Sequence, residues 1–361
     1  MECEIINEKI SIFFLQSGII SLPHHFSIKR TLNERVTGEL SHYDSPLYFM
    51  HWIKLIILQG IISIMGHREF FLSLSRDGRG FWIRFLLSEK YESIPSVSIS
   101  TFTANKTEGI RYIYPHSVFD ITRNRFSVSG ENIIDLDGRY ARGSNADSTY
   151  SFDIQWIDNE GKVNAIAGLE RILDFRSEYI LYSPSASFDG HIRYMGNDYN
   201  LNGYRGMVGY ISQPDYLNRW TWAHISGSDQ DDEMWADLLV TGIRMMGRNI
   251  SLFSARIDGD LIKAHIMPLT FRGNADINGI HGSVNTKNGS VAIDGELDRQ
   301  RTIKAKYDNV RKYDRYCYNS EIADISLKYH GRDFTSMSGF LEHGTGENIE
   351  GFVEIVDKQL V

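Results

Sequence analysis

The sequence predicts a mostly β protein made of two barrel-like or sandwich-like domains. Segments that alternate apolar and polar residues recur along the chain, and Asp-Gly dipeptides lie at short intervals. The 361 residues also exceed what one hydrophobic core usually holds. The 31 Gly and only 7 Pro residues agree with many tight turns between strands.

The alternating segments are the first predicted strands, because successive side chains of a strand point to opposite faces. They are Ser117–Val128, Thr149–Ile157, Ile250–Ile257, Gly289–Leu297 and Gly351–Val356. Hairpin turns are predicted where Gly supplies a positive φ angle. The predicted turns are Asp77-Gly78, Asp137-Gly138, Asp189-Gly190, Asp258-Gly259 and Asp294-Gly295. Such regular strands and turns indicate a sandwich or an up-and-down barrel.

The domain boundary is predicted near Ser226–Asp232, where polar and small residues cluster and apolar residues vanish. The N-terminal domain then covers residues 1–226 and the C-terminal domain residues 227–361. The run Asp229–Glu233 is expected to be a solvated linker.

One segment, Asp231–Arg248, fits a helix as well as it fits strands. Trp235, Leu238 and Ile243 fall near helical spacing, whereas a hairpin broken at Gly242 gives the same pattern. Periodicity alone does not decide between the two.

Charge and motifs exclude several classes of function. The formal charge is −8 and the basic residues are evenly spread, so a nucleic-acid-binding surface is not expected. The stretch Gly203–Gly209 has the wrong glycine spacing for a dinucleotide site, and no phosphate loop, HExxH or GxSxG motif occurs. Cys3 and Cys317 form neither a disulfide framework nor a zinc site. We therefore expect no metal and no cofactor.

The cellular location is predicted to be cytoplasmic. The first residues are acidic where a signal peptide needs Lys or Arg, and the two cysteines fit a reducing compartment. The most apolar window, Pro46–Gly66, contains His51, Lys54 and Gln59, so buried core is favoured over a membrane span, with a weak membrane contact as the alternative.

An aromatic strand stands out in the segment Asp189–Gly227. In a strand, Trp220, Trp222 and His224 point to one face. Inside a barrel that face would be a wall of indole rings with one imidazole, able to hold a polyene or stabilise a cation. The competing interpretation is that both tryptophans are ordinary core residues.

Short motifs in a fixed order resemble one superfamily over residues 65–355. They are His67–Phe71, Ser75–Trp82, Arg125–Tyr140, Asp189–Gly209, Trp220-Thr221-Trp222, Tyr318–Glu321 and Gly339–Gly344. In this order they are similar to the carotenoid 1,2-hydratases (hydroxyneurosporene synthases), the lipocalin-like fungal Diels–Alderases and, more remotely, the tocopherol cyclases. The resemblance implies an all-β fold of two tandem lipocalin-like (calycin) β-barrels with few helices.

The chain departs from this superfamily at Gly209–Pro214. At the equivalent position, just before a Trp-Gly pair, the hydratases and tocopherol cyclases that this chain resembles carry an acidic or His-containing cluster. This chain has no carboxylate or imidazole there. Protonating an alkene needs a positioned acid, so the departure disfavours simple hydration. It favours a cyclase or isomerase that mainly folds its substrate into reactive geometry.

The predicted site combines an aromatic wall with a few polar groups. Substrate-binding residues are predicted to be Trp82, Tyr204, Met207, Trp220 and Trp222. Catalytic residues are predicted to be His224, Tyr210, Gln213 and, as a reserve acid, Glu69, which would otherwise pair with an Arg. Glu321 and Glu342-His343 are expected to form surface or interdomain pairs.

Three functions remain open. The first is a cofactor-independent cyclase or isomerase of a hydrophobic polyene, terpenoid or polyketide-derived substrate, held in the first barrel or between the barrels. The second is a carrier of such a ligand that performs no chemistry. The third is an alkene hydratase in which Glu69 or His224 replaces the missing acid. The substrate and the oligomeric state stay open.

Overall fold

The fold was analysed in a computed structural model. It describes residues 66–89, 93–115, 117–158, 160–166, 177–213, 216–245, 248–263, 271–307, 314–336 and 338–360. Residues 65–361 form one compact unit. The predicted apolar window Pro46–Gly66 lies outside the described residues except for Gly66. In the described part of the chain, no helix is both long and apolar enough to cross a membrane.

The first sheet has 14 strands and contains nearly all of the N-terminal strands. They are β1 His67–Arg76, β2 Arg79–Glu89, β3 Ser93–Thr103, β4 Thr107–Ile113, β5 Phe119–Ile121, β6 Arg125–Val128, β7 Asn132–Asp135, β8 Tyr140–Ser144, β9 Tyr150–Asp158, β10 Val163–Asn164, β11 Glu178–Tyr194, β12 Asn197–Asn200, β13 Tyr204–Gln213 and β27 Val356–Gln359. The order is β27-β4-β3-β2-β1-β13-β11-β9-β8-β7-β6-β5, with β10 and β12 also paired to β11.

Two further sheets contain the C-terminal strands. The 8-stranded sheet has the order β17-β16-β15-β14-β25-β22-β21-β26 and the 5-stranded sheet the order β18-β19-β20-β23-β24. The bounds are β14 Arg219–Ser226, β15 Trp235–Met245, β16 Arg248–Ile257, β17 Asp260–Lys263, β18 Phe271–Asp276, β19 Gly279–Thr286, β20 Gly289–Glu296, β21 Ile303–Tyr307, β22 Arg315–Ser320, β23 Ile325–Tyr329, β24 Arg332–Thr335, β25 Gly339–Thr345 and β26 Val353–Glu354. The helical segment among the described residues is the 3-10 turn Arg299–Arg301. The prediction of an all-β fold is confirmed.

The strand predictions hold where alternation is long and unbroken. Thr149–Ile157, Ile250–Ile257 and Gly289–Leu297 correspond to β9, β16 and β20. Ser117–Val128 is two short strands, β5 and β6, which pair with each other across a turn. Gly351–Val356 is divided between β26 and β27, which join different sheets. The helix considered for Asp231–Arg248 is the hairpin of β15 and β16, and Gly242 lies within β15 rather than at its turn.

Two of the five predicted turns are wrong. Asp77-Gly78 and Asp258-Gly259 form hairpin turns with positive φ angles, and Asp137-Gly138 lies between β7 and β8. Asp189-Gly190 and Asp294-Gly295 lie inside β11 and β20. A Cβ atom at Gly190 would lie 2.1 Å from the main-chain oxygen of Asp153, so that glycine serves close approach of neighbouring strands.

The predicted boundary between residues 226 and 227 falls at the connection from β14 to β15, two strands that pair over Trp220–Ser226. The predicted linker within this connection is held by hydrogen bonds from Ser228 N to Asp231 O and from Thr335 N to Asp229 Oδ1. The position of the domain boundary stays a prediction.

Buried apolar residues form three clusters. The first is formed mainly by residues of the 14-stranded sheet and includes Phe70, Leu72 and Phe85. The second is enclosed by the 8-stranded and 5-stranded sheets and includes Ile225 and Leu238. The third draws on both halves of the chain, and we name it the inter-sheet layer. Its buried apolar members are Phe71, Trp82, Leu86, Phe102, Val163, Ala165, Ile166, Tyr179, Leu181, Met207, Tyr216, Trp220, Trp222, Trp235, Leu252, Ile303, Ala305, Tyr307, Cys317, Ile322 and Phe340.

The end of the chain connects the two large sheets. Strand β26 pairs in parallel with β21, and β27 pairs in parallel with β4. Ile355, between these strands, packs against the inter-sheet layer. Arg111 of β4 donates hydrogen bonds to both carboxylate oxygens of Asp357, at 2.8 and 2.5 Å. The C-terminal segment therefore joins the sheets along one edge of the layer.

Candidate active site

The inter-sheet layer brings together most of the predicted substrate-binding residues. Ser73 of β1 lies directly between Trp82 of β2 and Met207 of β13, so the three side chains share one face. Trp220 and Trp222 of β14 belong to the same layer from the opposite sheet. Phe71 contacts Trp222 edge to face, with ring centroids 6.2 Å apart. The layer is thus lined by indole and phenyl rings from both sheets.

The predicted common face of Trp220, Trp222 and His224 exists, but it does not point into a barrel. The residues between them, Ala223 and Ile225, belong to the enclosed second cluster. The Trp220–His224 face therefore points away from the second cluster and packs in the inter-sheet layer. The alternation in β14 predicts that the three side chains share one face of the strand. The sequence does not predict what that face contacts, because that depends on how the sheets pack.

A buried ion pair lies in the layer next to Trp82. Arg84 Nε donates to Glu69 Oε1 at 2.5 Å, and both side chains are less than a tenth exposed. The guanidinium carbon lies 4.3 Å from the ring centroid of Trp82 and 4.4 Å from that of Tyr307. Burial opposes the charge of Arg84, but the Glu69 carboxylate outweighs it and raises the pKa of Arg84 well above its usual value. The arginine that pairs with Glu69 is Arg84, on the neighbouring strand β2.

A second polar group is centred on Asp237, which the sequence analysis did not identify. Its carboxylate accepts hydrogen bonds from the hydroxyl of Tyr179 at 2.8 Å and from the indole nitrogen of Trp222 at 2.8 Å. His224 Nδ1 lies 3.0 Å from the same carboxylate, and its Nε2 lies 2.9 Å from the main-chain oxygen of Pro184. Both imidazole nitrogens are therefore engaged by protein groups. Burial and Asp237 raise the pKa of Tyr179 well above its usual value.

A third group surrounds Glu342, which is half-buried. Trp220 Nε1 donates to Glu342 Oε1 at 2.5 Å. Burial, and then the negative charge of Glu69, raise the pKa of Glu342. Burial likewise raises the pKa values of Tyr307 and Cys317, which lie in the same layer. His343 points elsewhere, and its Nδ1 contacts Thr221 Oγ1 at 2.9 Å. Glu342 and His343 thus form neither a surface pair nor a pair with each other.

A fourth group contains Glu321, which is fully buried rather than at the surface. Its Oε1 accepts hydrogen bonds from Ser73 Oγ at 3.2 Å and from Asn319 Nδ2 at 2.8 Å. Glu321 therefore connects a strand of the first sheet with a strand of the second. Burial raises its pKa well above the usual value, and the Glu342 carboxylate acts in the same direction.

His67, at the start of β1, is also buried in the layer. Its ring stacks on Tyr216 with centroids 4.0 Å apart. Among the described residues, neither imidazole nitrogen has a hydrogen-bond partner. Burial, together with the positive charge of Arg84, lowers its pKa to about 4. A neutral imidazole is thus held beside the Glu69–Arg84 pair.

The remaining predicted site residues separate onto two faces of β13. Gln213 lies opposite His67 at the end of the strand and is half-buried. Tyr210 packs on Phe70 in the first cluster, and Tyr204 packs on Phe81 there and borders an open depression of about 360 Å³. The structure therefore brings Gln213 to the layer and places Tyr204 and Tyr210 on the other side of the sheet.

The groups that sequence reasoning missed are Arg84, Asp237 and Tyr179. Each is a polar residue at a position where the alternating pattern of its strand places a buried side chain. Buried charges are paired or otherwise compensated, so their positions were a detectable signal, but their partners lie far away in sequence. In the part of the chain that the structure describes, no three His, Cys, Asp or Glu side chains come together as metal ligands.

No protein family and no curated protein matches this sequence. Among solved structures, CghA determined with Sch210972 is 8% identical, with a TM-score of 0.53, over 79% of this chain and 90% of that chain. AttH (NE1406) from Nitrosomonas europaea is 14% identical, with a TM-score of 0.49, over 78% of this chain and 91% of that chain. Kievitone hydratase from Nectria haematococca is 11% identical, with a TM-score of 0.46, over 78% of this chain and 89% of that chain. The likeness to CghA establishes a shared fold, so the expected lipocalin-like architecture is confirmed at the level of the fold.

Proposed function

We propose that this chain is a cofactor-independent cyclase or isomerase that binds a hydrophobic polyene, terpenoid or polyketide-derived substrate in the inter-sheet layer. The observation that carries the proposal is a set of buried charged and polar groups fixed among aromatic rings. Arg84 lies between Trp82 and Tyr307 and is oriented by Glu69. Such preorganised charges stabilise developing charge without reorganisation during the reaction.

The layer has a partly exposed side through which a substrate can reach these groups. Ile211, Leu217 and Leu239 pack on the layer while remaining partly accessible, and Glu342 and Gln213 are half-buried. Leu239, Trp222 and Glu342 lie side by side across neighbouring strands. We expect an apolar substrate to displace side chains at this side and to lie against Trp220 and Trp222. The structure of CghA determined with Sch210972 supports ligand binding by this fold.

The predicted catalytic residues take different roles in this proposal. Gln213 lies at the partly exposed side, where it can donate a hydrogen bond to a substrate. His224 is a positioning residue, because its nitrogens contact Asp237 and Pro184 and hold the partner of Trp222. Tyr204 and Tyr210 are left out, since they face the first cluster.

A carrier and an alkene hydratase are the competing functions. The carrier is favoured by the absence of a carboxylate or imidazole at Gly209–Pro214. The hydratase is weakened because Glu69 is paired with Arg84 and both nitrogens of His224 are engaged. One experiment distinguishes both alternatives from the proposed cyclase by the mass and retention of the compound recovered.

The test is native mass spectrometry followed by extraction, with geranylgeraniol and lycopene as acyclic probes. A cyclase or isomerase returns a compound of unchanged mass and altered chromatographic retention. A hydratase adds the mass of one water, and a carrier returns the probe unchanged. Failure of the folded protein to bind or convert either probe contradicts the proposal.

Matched tryptophan variants locate the reaction. Trp222→Phe is expected to reduce conversion at least tenfold, because it removes both ring area in the layer and the hydrogen bond to Asp237. Trp156→Phe makes the same change in the first cluster and serves as the control. Equal loss in the two variants would place the substrate elsewhere or show a general effect on folding.

A further inference from the structure

The Glu321 carboxyl group has one satisfied oxygen and one unsatisfied oxygen. Oε1 accepts hydrogen bonds from Ser73 and Asn319, whereas Oε2 has no partner among the described residues although the side chain is fully buried. The amide oxygen of Asn319, on the neighbouring side chain, also has no partner there. Buried polar atoms are rarely left unpaired in folded proteins. Two such atoms on adjacent side chains indicate a place for a polar ligand group.

The hydrogen-bond pattern also locates the proton of this carboxyl group. Burial, and to a lesser degree the Glu342 carboxylate, raise the pKa of Glu321 well above its usual value, which favours the protonated form. Both lone pairs of Oε1 are used by Ser73 and Asn319. Oε2 is therefore the oxygen that is free to carry the proton of the protonated form, and no described protein group accepts a hydrogen bond from it.

The surroundings place this donor next to the predicted substrate wall. Ser73, which contacts Glu321, lies between Trp82 and Met207. Asn319 is the direct neighbour of Glu342, which is the neighbour of Trp222. A Cβ atom at Gly80 would lie 2.6 Å from Glu321 Cβ, so that glycine permits the close approach of Glu321 to β2. The acid is thus fixed from both sheets.

We propose that Glu321 is a catalytic hydrogen-bond donor whose Oε2–H meets a carbonyl oxygen of the substrate, and that Asn319 Oδ1 accepts from an O–H or N–H group beside that carbonyl. This inference rests on the proposed function and narrows its substrate class. The substrate is a largely apolar molecule with one polar end that combines an acceptor and a donor. Donation to a conjugated carbonyl withdraws electron density from the adjoining alkene and promotes its cyclisation.

A carbonyl-bearing fluorescent probe tests the donor. Prodan, 6-propionyl-2-(dimethylamino)naphthalene, shifts its emission to longer wavelength when its carbonyl accepts a hydrogen bond. The control probe, 2-(dimethylamino)naphthalene, lacks the carbonyl. Glu321→Gln keeps a neutral donor, and Glu321→Leu removes it at similar volume.

The expected result separates the two variants. Glu321→Leu binds prodan roughly tenfold more weakly, with emission at shorter wavelength, because one hydrogen bond is lost. Glu321→Gln stays close to the wild type, and all three proteins bind the control probe equally. Unchanged prodan affinity and emission in a folded Glu321→Leu protein overturn the role of Glu321. Failure of wild-type protein to bind either probe contradicts the proposed function instead.

Infrared difference spectroscopy provides a measurement that does not depend on the leucine variant folding. A protonated carboxyl band that is present in the wild type at neutral pH and absent in Glu321→Gln is expected. Addition of prodan should shift that band to lower frequency, whereas the control probe should leave it in place. A missing band, or a band that prodan does not shift, overturns the proposal.

Discussion

Strand β1 has two buried faces with opposite chemistry. Phe70, Leu72 and Leu74 point into the first cluster and are fully buried. Glu69 and Ser73, on the other face, are also buried, at 7% and 0% exposure. Packing alone favours apolar side chains on both faces, because a buried ion pair is often no better for stability than hydrophobic residues of similar size. The polar face therefore indicates a role beyond holding the sheets together.

The first cluster also contains polar groups, and those around Tyr150 are neutral and satisfy one another. Tyr150 donates to Asn132 Oδ1 at 2.9 Å, and Asn132 Nδ2 donates to the hydroxyl of Tyr114 at 3.1 Å. In the inter-sheet layer, by contrast, Arg84 Nη2 and Glu321 Oε2 have no partner among the described residues. In the first cluster the hydroxyl of Tyr194 also has no partner among the described residues. The two regions therefore differ in the kind of unpaired group, which is a neutral hydroxyl in the first cluster and a guanidinium nitrogen and a carboxyl oxygen in the layer.

Breaking the Glu69–Arg84 pair is expected to have the largest effect. Arg84→Met leaves the Glu69 carboxylate buried without its cation, so the free energy of unfolding falls by about 3–5 kcal/mol. The double variant Glu69→Leu/Arg84→Met should recover most of that loss, because no charge is then left unpaired. Urea unfolding of the single and double variants measures both changes.

An exposed pair provides the control for that cycle. Arg193 and Asp198 form a similar ion pair at 2.7 Å with both side chains more than half exposed. Arg193→Met should leave stability unchanged within error. If Arg84→Met is no more disruptive than Arg193→Met, the layer is not a low-dielectric region.

His67 makes the layer sensitive to acid over a defined pH range. Its folded pKa of about 4 lies below the ordinary value of 6.5, so the unfolded chain binds more protons between these two values. Stability is then fully present above about pH 6.5 and falls as pH decreases towards 4, by about 3 kcal/mol for this side chain. His67→Gln should remove this part of the pH dependence in urea unfolding measured from pH 7 to pH 4.

The half-exposed His281 supplies the comparison for His67. His281→Gln should leave the acid-dependent loss in place. His343, whose pKa burial also lowers to about 4, contributes separately, so the His67→Gln protein keeps part of the slope. A pH profile of His67→Gln that coincides with that of the wild type would show that the ring is accessible to water.

Local pattern was enough to predict the strands, the three-residue face of β14 and the all-β class. Period-two alternation survives in the fold because each of these strands buries one or both faces. Asp189-Gly190 was misassigned as a turn because glycine serves two purposes, positive φ in a hairpin and close approach within a sheet. Only the neighbouring strand distinguishes them, and that strand is set by the tertiary fold.

Alternation along the strands also predicted part of the candidate site. Trp82, Met207, Trp220 and Trp222 share the layer because each lies on the outer face of its strand. The sequence predicts that Glu69 could pair with an arginine but does not say which one, and the adjacent Arg68 points to the opposite face of the strand. Arg84, which is diagonal to Glu69 across the β1–β2 pair, is 15 residues away. Partners that lie far apart in the sequence are not evident from a local pattern. The ion-paired residues of the site were therefore harder to predict than its aromatic residues.

The smallest expected effect is at the edge of the layer, where the C-terminal segment joins the two sheets. Asp357→Asn weakens the contact with Arg111. Because the Asp357 side chain is 44% exposed, the free energy of unfolding should fall by only about 1 kcal/mol or less. The fall should be smaller still at high salt. Local opening should respond more than global unfolding, because among the described strands β27 lies at the edge of its sheet and pairs with β4 only. Hydrogen exchange at β4 and β27 should therefore accelerate while the exchange of β6 and β7 stays as in the wild type. Equal acceleration in all four strands would mean that the segment supports the whole barrel rather than one edge of the inter-sheet layer.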